Sequence, residues 1–306
     1  QCVSTIGKES YNDMTGKLGF SYMINDLHSI GAYYQNSWNR HNTDGTIPSE
    51  IWQDGILLDL YNSDVHNQST AVPRHYANIY YNGIVGKLNI DFNADYIWYK
   101  SRELTFNNEL SEMSNDREVN TSSINRNRMF AEKLVMTYPL WKGQIEIGEE
   151  YTNTRTTNLF SANIPETPNA DNRVDENNIA VFAELEQQFG RFMIGAGLRY
   201  EHVKFNYYEM GLLRDGQSKT YNNIFPSLNI ATQVGKVRMG LNYTGKTIRP
   251  GYDQLDGAIS YINRLTYETG NPYLKPTKLQ TVEYMAQWQR FFAQLSYTYF
   301  KDGVYH

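Results

Sequence analysis

Between Lys87 and Trp98 every second residue is apolar: Leu88, Ile90, Phe92, Ala94, Tyr96 and Trp98 alternate with Asn89, Asp91, Asn93 and Asp95. Successive side chains of a strand point to opposite faces, so this run makes a strand that is wet on one side and oily on the other. The pattern recurs. Phe192, Ile194, Ala196, Leu198 and Tyr200 alternate with Met193, Gly195, Gly197, Arg199 and Glu201. Val237, Met239, Leu241 and Tyr243 alternate with Arg238, Gly240 and Asn242, and Phe291 to Tyr299 repeats the arrangement. The repetition predicts an all-β, antiparallel chain.

Two all-β classes fit such strands, a soluble sandwich and a transmembrane barrel. The mean hydropathy is -0.61, and no run of eighteen apolar residues exists, which excludes a membrane-crossing helix. It does not exclude a barrel, whose lumen residues are polar and whose strands need only about ten alternating residues. The chain holds 25 Tyr, 13 Phe and 5 Trp. Tyr96, Trp98, Tyr138, Trp141, Tyr200, Tyr284, Trp288 and Tyr297 fall at strand ends or on apolar faces, as in the aromatic girdles of a membrane interface. An up-and-down transmembrane β-barrel is therefore expected.

Connections point the same way. Tight links are legible at Asn25-Asp26, from Asn82-Gly83 to Gly86, from Pro139 to Gly143, near Gly190, at Gly235 and at Gln289-Arg290. Between them lie long polar stretches, roughly 40–71, 100–123, 156–175, 207–219 and 248–278, the first with a possible apolar element around Ile56 to Tyr61. This reads as about six hairpins and about twelve strands, with tight turns on the periplasmic side and long loops outside.

With that orientation both chain ends fall at the exterior, so residues 1–306 are expected to be an internal piece of a larger barrel. Such a piece leaves two edges unpaired or closes as a smaller barrel. Gln1-Cys2-Val3-Ser4 lacks the basic start and apolar core of a signal peptide. Cys2, the single cysteine, is read as incidental, and Val304-Tyr305-His306 as the start of a loop.

On the polar faces, Lys87, Asp91, Asp95, Glu184, Glu186, Arg199, Glu201, Arg238 and Glu283 are expected to face a wet lumen. Arg or Lys facing lipid at midplane would cost roughly 2 to 4 kcal/mol. Two residues break the pattern: Glu149 shares a face with Ile145, Ile147 and Tyr151, and Glu132 with Phe130, Leu134 and Met136. Both are expected near the rims, where the cost is small. In the loops, Trp52, Arg249, Tyr252, Tyr261, Arg264, Tyr267 and Tyr273 are the candidate ligand contacts.

The stretch Thr247-Ile248-Arg249-Pro250-Gly251-Tyr252-Asp253-Gln254-Leu255, then Tyr261, Tyr267 and Gly270-Asn271-Pro272-Tyr273-Leu274-Lys275-Pro276, resembles the barrel domain of TonB-dependent outer-membrane receptors, in the outer membrane protein beta-barrel branch. Tyr80-Tyr81-Asn82-Gly83, Gly86-Lys87-Leu88 and Asn93-Ala94-Asp95-Tyr96 extend the likeness. Thr277 departs from it, since relatives commonly carry an acidic residue there.

The resemblance implies a 22-stranded barrel filled by its own plug domain, in the outer membrane of a Gram-negative bacterium. It implies TonB-energised uptake of a scarce nutrient of the siderophore, glycan, cobalamin or peptide class, with outer-membrane lipid, the TonB system and a surface lipoprotein as partners. The alternative is a passive porin, adhesin or structural wall. A soluble carbohydrate-binding sandwich is a third reading.

Catalytic motifs are missing. His28, His41, His66, His75, His202 and His306 form no i, i+4 pair beside a Glu, and there is neither a Gly-x-Ser-x-Gly elbow nor a phosphate-cradling Gly-Lys loop. Glu166, Asp171, Asp175 and Glu176 could hold Ca²⁺ but lack the spacing of a calcium loop. No enzyme activity, cofactor or metal is expected. A net charge of -5 without a basic stripe speaks against nucleic-acid binding.

Overall fold

The computed structural model describes residues 6–71 and 73–303; Cys2, Val304, Tyr305 and His306 lie outside them. The strands are β1 (Ile6–Asn25), β2 (His28–Gln53), β3 (Ile56–Ala71), β4 (Arg74–Val85), β5 (Leu88–Ser111), β6 (Arg117–Leu140), β7 (Gly143–Ala162) and β8 (Ala170–Phe189). They continue as β9 (Phe192–Glu209), β10 (Leu212–Leu213), β11 (Lys219–Val234), β12 (Val237–Ile248), β13 (Ile259–Asn263), β14 (Thr266–Thr269), β15 (Thr277–Trp288) and β16 (Phe291–Lys301). One short helix, α1 (Tyr252–Leu255), precedes β13.

A single antiparallel sheet runs in the order β1-β2-β3-β5-β6-β7-β8-β9-β11-β12-β15-β16. β3 and β4 occupy one line in it. The upper half of β2, His41 to Gln53, pairs with β3, and its lower half, His28 to Ser37, pairs with β4. Pro73 stands at the break, where a residue without an N–H cannot serve a ladder. The wall thus has twelve strand lines, as the hairpin reading expects, with β1 and β16 at its ends and no pairing between them among the described residues.

Six short turns join the strands at one end. All six are two-residue links, the first being Asp26-Leu27; in the other five, Gly86-Lys87, Trp141-Lys142, Gly190-Arg191, Gly235-Lys236 and Gln289-Arg290, the first residue has positive φ. The left-handed twist they need is open to glycine without strain. Asn82-Gly83 belongs to β4, so the link placed there by the sequence narrows to Gly86-Lys87.

The long-loop expectation needs correction. Strands rise well past the alternating segments, and the connections at the other end shrink to Asp54-Gly55, residues 112–116, 163–169 and 210–218; only 249–276 is long. Asp54 and Gly55 have φ of 52° and 79°, as a tight β-turn requires. The extensions mix polar residues into both faces, so pairing persists where alternation has vanished.

Cross-strand register carries one face through the whole wall. Tyr33, Asn78, Asp95, Ala131 and Thr152 are matched in turn across β2, β4, β5, β6 and β7, and Glu150, Ala180, Glu201 and Asn223 across β7, β8, β9 and β11. Asp91, Asp95, Glu184, Glu186, Arg199, Glu201, Arg238 and Glu283 all fall on this polar face. Lys87 does not: it sits in a turn and leaves the wall altogether. The opposite face shows Leu18, Phe20, Ile79, Tyr96, Ile147, Leu198, Ile224 and Leu295, all exposed.

Polar-face groups satisfy one another. Tyr76 donates to Asp95 at 2.5 Å and Tyr33 to Tyr76 at 3.0 Å, with Asn78 also on Asp95 at 2.6 Å. Glu150 holds Lys133 at 2.9 Å and Arg199 at 2.6 Å.

Glu132 and Glu149 are a second correction. Register sets Glu149 between Leu134 and Val181, and Glu132 between Ala94 and Tyr151, inside the apolar band and away from its rims. Replacing Glu149 with Leu is expected to stabilise the folded wall in detergent by about 1 kcal/mol, read as a higher midpoint of heat-modifiable gel migration. A lower midpoint would show that the carboxylate has a partner on that face.

Candidate functional site

The connection between β12 and β15, residues 249–276, lies down along the polar face and reaches from β9 across to β5. Its sequence explains the shape. Pro250 and Pro272 fix the backbone at either end, α1 supplies Tyr252 and Leu255 for packing, and β13 and β14 fold back as a hairpin. We refer to this segment as the strap.

The strap is tied at three places. Near its root, Arg249 bonds Glu176 at 3.4 Å and Glu201 at 2.5 Å, and Asn178 donates to Glu201 at 2.9 Å. Leu255 joins Val174, Phe205 and Tyr207 in a small buried cluster, flanked by Tyr252 and Leu274. Burial, and next the Glu176 carboxylate, push the Tyr252 hydroxyl up to about 12. It therefore stays a neutral phenol at physiological pH.

Midway, Asp256 is held by Asn172 at 2.6 Å and by Asn158. At the tip, Glu109 is fully buried and accepts from Tyr261 and from Arg264 at 3.3 Å. Arg264 also reaches Ser114 and the Asn115 carbonyl, and its guanidinium lies 4.9 Å from the Tyr61 ring centre. Asn107 donates to the Ile262 carbonyl at 3.3 Å. Burial, reinforced by the bond to Glu109, raises the Tyr261 hydroxyl above its ordinary value, so Tyr261 remains a donor.

Between strap and wall lies a cavity of about 660 Å³. The wall contributes Glu103, Thr105, Thr121, Ser123, Asn125 and Asn158; the strap contributes Asp256, Ser260, Tyr261, Glu268 and Asn271. Hydroxyls, amides and carboxylates dominate, and the lining contains neither Lys nor Arg.

Of the seven loop candidates, the structure gathers six around the strap. Arg249 and Tyr252 stand at the root, Tyr261, Arg264 and Tyr267 at the tip, with the Tyr261 and Tyr267 rings 5.5 Å apart, and Tyr273 accepts from Gln217 at 3.3 Å. Trp52 is elsewhere, exposed on the β2–β3 hairpin with its indole on Glu50 at 2.9 Å. Arg249, Tyr261 and Arg264 spend their polar groups on holding the strap down.

Sequence reasoning missed Glu109, Asp256, Asn107, Asn158 and Asn172, which do the tying. A carboxylate or amide in a polar stretch carries no local signal of its partner, here as many as 155 residues away. The Glu166, Asp171, Asp175 and Glu176 grouping does not converge. Glu166 faces Arg117 at 3.6 Å, Asp175 lies on the outward face with Arg155, and Glu176 lies on the polar face with Arg249.

A model of the Outer membrane protein beta-barrel family matches residues 85–305. Among solved structures, the copper transporter OprC aligns with a TM-score of 0.60 at 11% identity, covering 96% of this chain and 52% of that one. The unliganded ferric citrate transporter FecA gives 0.54 at 12%, covering 96% and 50%. The ferric-catecholate import receptor Fiu from K12 E. coli gives 0.53 at 13%, covering 97% and 57%. The chain spans about half the length of these proteins, and at such identity the likeness is one of fold. No curated protein matches the sequence.

Replacing Glu109 with Ala is expected to weaken docking of the strap tip by roughly 1 to 3 kcal/mol, since it takes away the shared acceptor of Tyr261 and Arg264. Faster hydrogen exchange over 259–269, with the wall unchanged, is the expected readout.

Proposed function

Because the chain belongs to the Outer membrane protein beta-barrel family, we propose that it forms half of the wall of an energised outer-membrane uptake receptor, completed by further strands and a plug domain. The observation that carries this reading is the strap. It roofs a polar cavity on the inner face instead of leaving a clear bore, as suits a wall that binds a cargo and moves it by a gated step. The passive alternative, a porin, adhesin or structural wall, does not require a connection that encloses a cavity against the inner face.

Chemistry of the cavity narrows the cargo. Glu103, Asp256 and Glu268 line it without a basic side chain, which disfavours an anionic ligand there through like-charge repulsion. Hydroxyl and amide groups suit a neutral, hydroxyl-rich or cationic molecule, with Tyr261 as the flat apolar surface. Among the classes implied by the sequence, this supports a glycan or a basic peptide over a ferric siderophore. The TonB system, an energising partner, and a surface lipoprotein belong to the same proposal.

In cells making the intact protein, accumulation of a fluorescent neutral oligosaccharide is expected to fall to background when TonB is deleted or the proton gradient is collapsed. Undiminished accumulation under both conditions would establish the passive wall.

A further inference from the structure

The root of the strap holds one negative charge more than its partners neutralise. Arg249 is shared by two carboxylates, Glu176 on β8 at 3.4 Å and Glu201 on β9 at 2.5 Å, and both are shielded from water, with side chains 12% and 8% exposed. Neither has a second ion-pair partner among the described residues. Lys219 on β11 is turned instead to the Pro272 and Leu274 carbonyls at the other end of the strap.

The remaining groups around Glu176 are uncharged. Thr154 stands opposite it on β7 and Phe205 on β9, Tyr221 faces it from β11 and Tyr252 from the strap. Burial first, and next the Glu176 carboxylate, raise both phenols above their ordinary value, so both stay neutral. His202 on β9 lies on the outward face with Asn222 at 2.8 Å, and the other described histidines belong to β2, β3 and β4.

Two buried like charges with a single counter-charge are relieved by one proton. Geometry decides which carboxylate takes it. Glu201 accepts from Arg249 at 2.5 Å and from Asn178 at 2.9 Å, whereas Glu176 has one longer contact at 3.4 Å. The carboxylate with fewer donors loses less on becoming neutral. It stands above the hydrocarbon, beyond Ile179, the last apolar residue on the outward face of β8 before Asn177 and Asp175. Burial holds the Glu176 carboxyl above its ordinary range against the pull of Arg249, and the Glu201 charge adds to the rise.

We propose that Glu176 is a proton-operated latch for the strap. Neutral, it leaves Arg249 to close on Glu201 and the root seats. Ionised, it sets a second buried carboxylate against Glu201 and the root loosens. Lifting the strap carries Arg249 away and admits water to Glu176, which returns it toward an ordinary carboxylate. The seated strap therefore holds the proton more tightly than the lifted one. By linkage, seating is strongest below the ordinary carboxylate range and weakens as the pH rises through the elevated value of the seated state. Acidity of the medium thus sets how readily the cavity opens. The inference concerns the strap alone and depends neither on the cargo nor on TonB.

The test is hydrogen exchange over 249–258 on the intact protein in detergent, from about pH 5 to 8, with rates corrected for the intrinsic pH dependence of exchange and with 88–98 as reference. Protection of 249–258 is expected to fall several-fold as the pH rises, with 88–98 unchanged. Glu176→Gln, neutral at every pH, is expected to keep the acid level of protection throughout. Glu201→Gln leaves Glu176 as the sole carboxylate on Arg249, so the slope is expected to reverse, with protection falling in acid.

Folding of each variant is checked by heat-modifiable migration; should Glu176→Gln fail to fold, the wild-type and Glu201→Gln profiles decide. A wild-type profile that is flat or rises with pH would overturn the proposal. So would a pH dependence that survives in Glu176→Gln, low protection of that variant at every pH, or a Glu201→Gln slope of the wild-type sign.

Discussion

Backbone hydrogen bonding governs this molecule. A chain segment in hydrocarbon has no water to satisfy its N–H and C=O groups, so each strand must find its partners in its neighbours. Once pairing is obligatory, register follows, because a slip of one residue would turn every side chain to the wrong side. The single polar face traced from Tyr33 on β2 to Asn223 on β11 is the product of that constraint. It gathers Asp95, Glu150 and Glu201 on one surface without any of them being near in sequence.

Legibility in the sequence tracks the solvent. Where lipid touches one side and water the other, alternation is clean, and runs such as 88–98, 192–200 and 237–243 mark their strands correctly. Above the hydrocarbon the outward side is wet and the inward side lies under the strap, and both carry polar residues. There Asn107, Asn108 and Glu109 alternate in nothing, yet they pair with β3 and β6 as regularly as the residues below. Polar composition reads as loop because period-two contrast, not strandedness itself, is what a sequence displays. The tight turns escaped this ambiguity, since positive φ at Gly86, Gly190 and Gly235 is written into residue type.

The candidate site was half legible. The segment from Arg249 to Pro276 stands out in the sequence by its prolines, aromatics and arginines, and the structure does fold it into the functional region. What each residue does there was not legible. Arg249, Tyr261 and Arg264, read as groups for a ligand, are consumed by Glu201 and Glu109. Burial decides this: a guanidinium near a desolvated carboxylate is held far more firmly than one in water. The lining left for a guest is the quieter set of Thr, Ser and Asn on β5 to β7, which no motif announces.

The strap leaves from β12 and β15 yet fastens to β5, six places away in the order of the sheet. Geometrically it is a chord drawn across an arc, as a string is drawn across a bow. Flattening the arc lengthens the chord, so the curvature of this half of the wall and the seating of the strap are a single mechanical variable. Anything that lifts the tip from Glu109 also frees the sheet to open, and anything that straightens the sheet pulls the tip away.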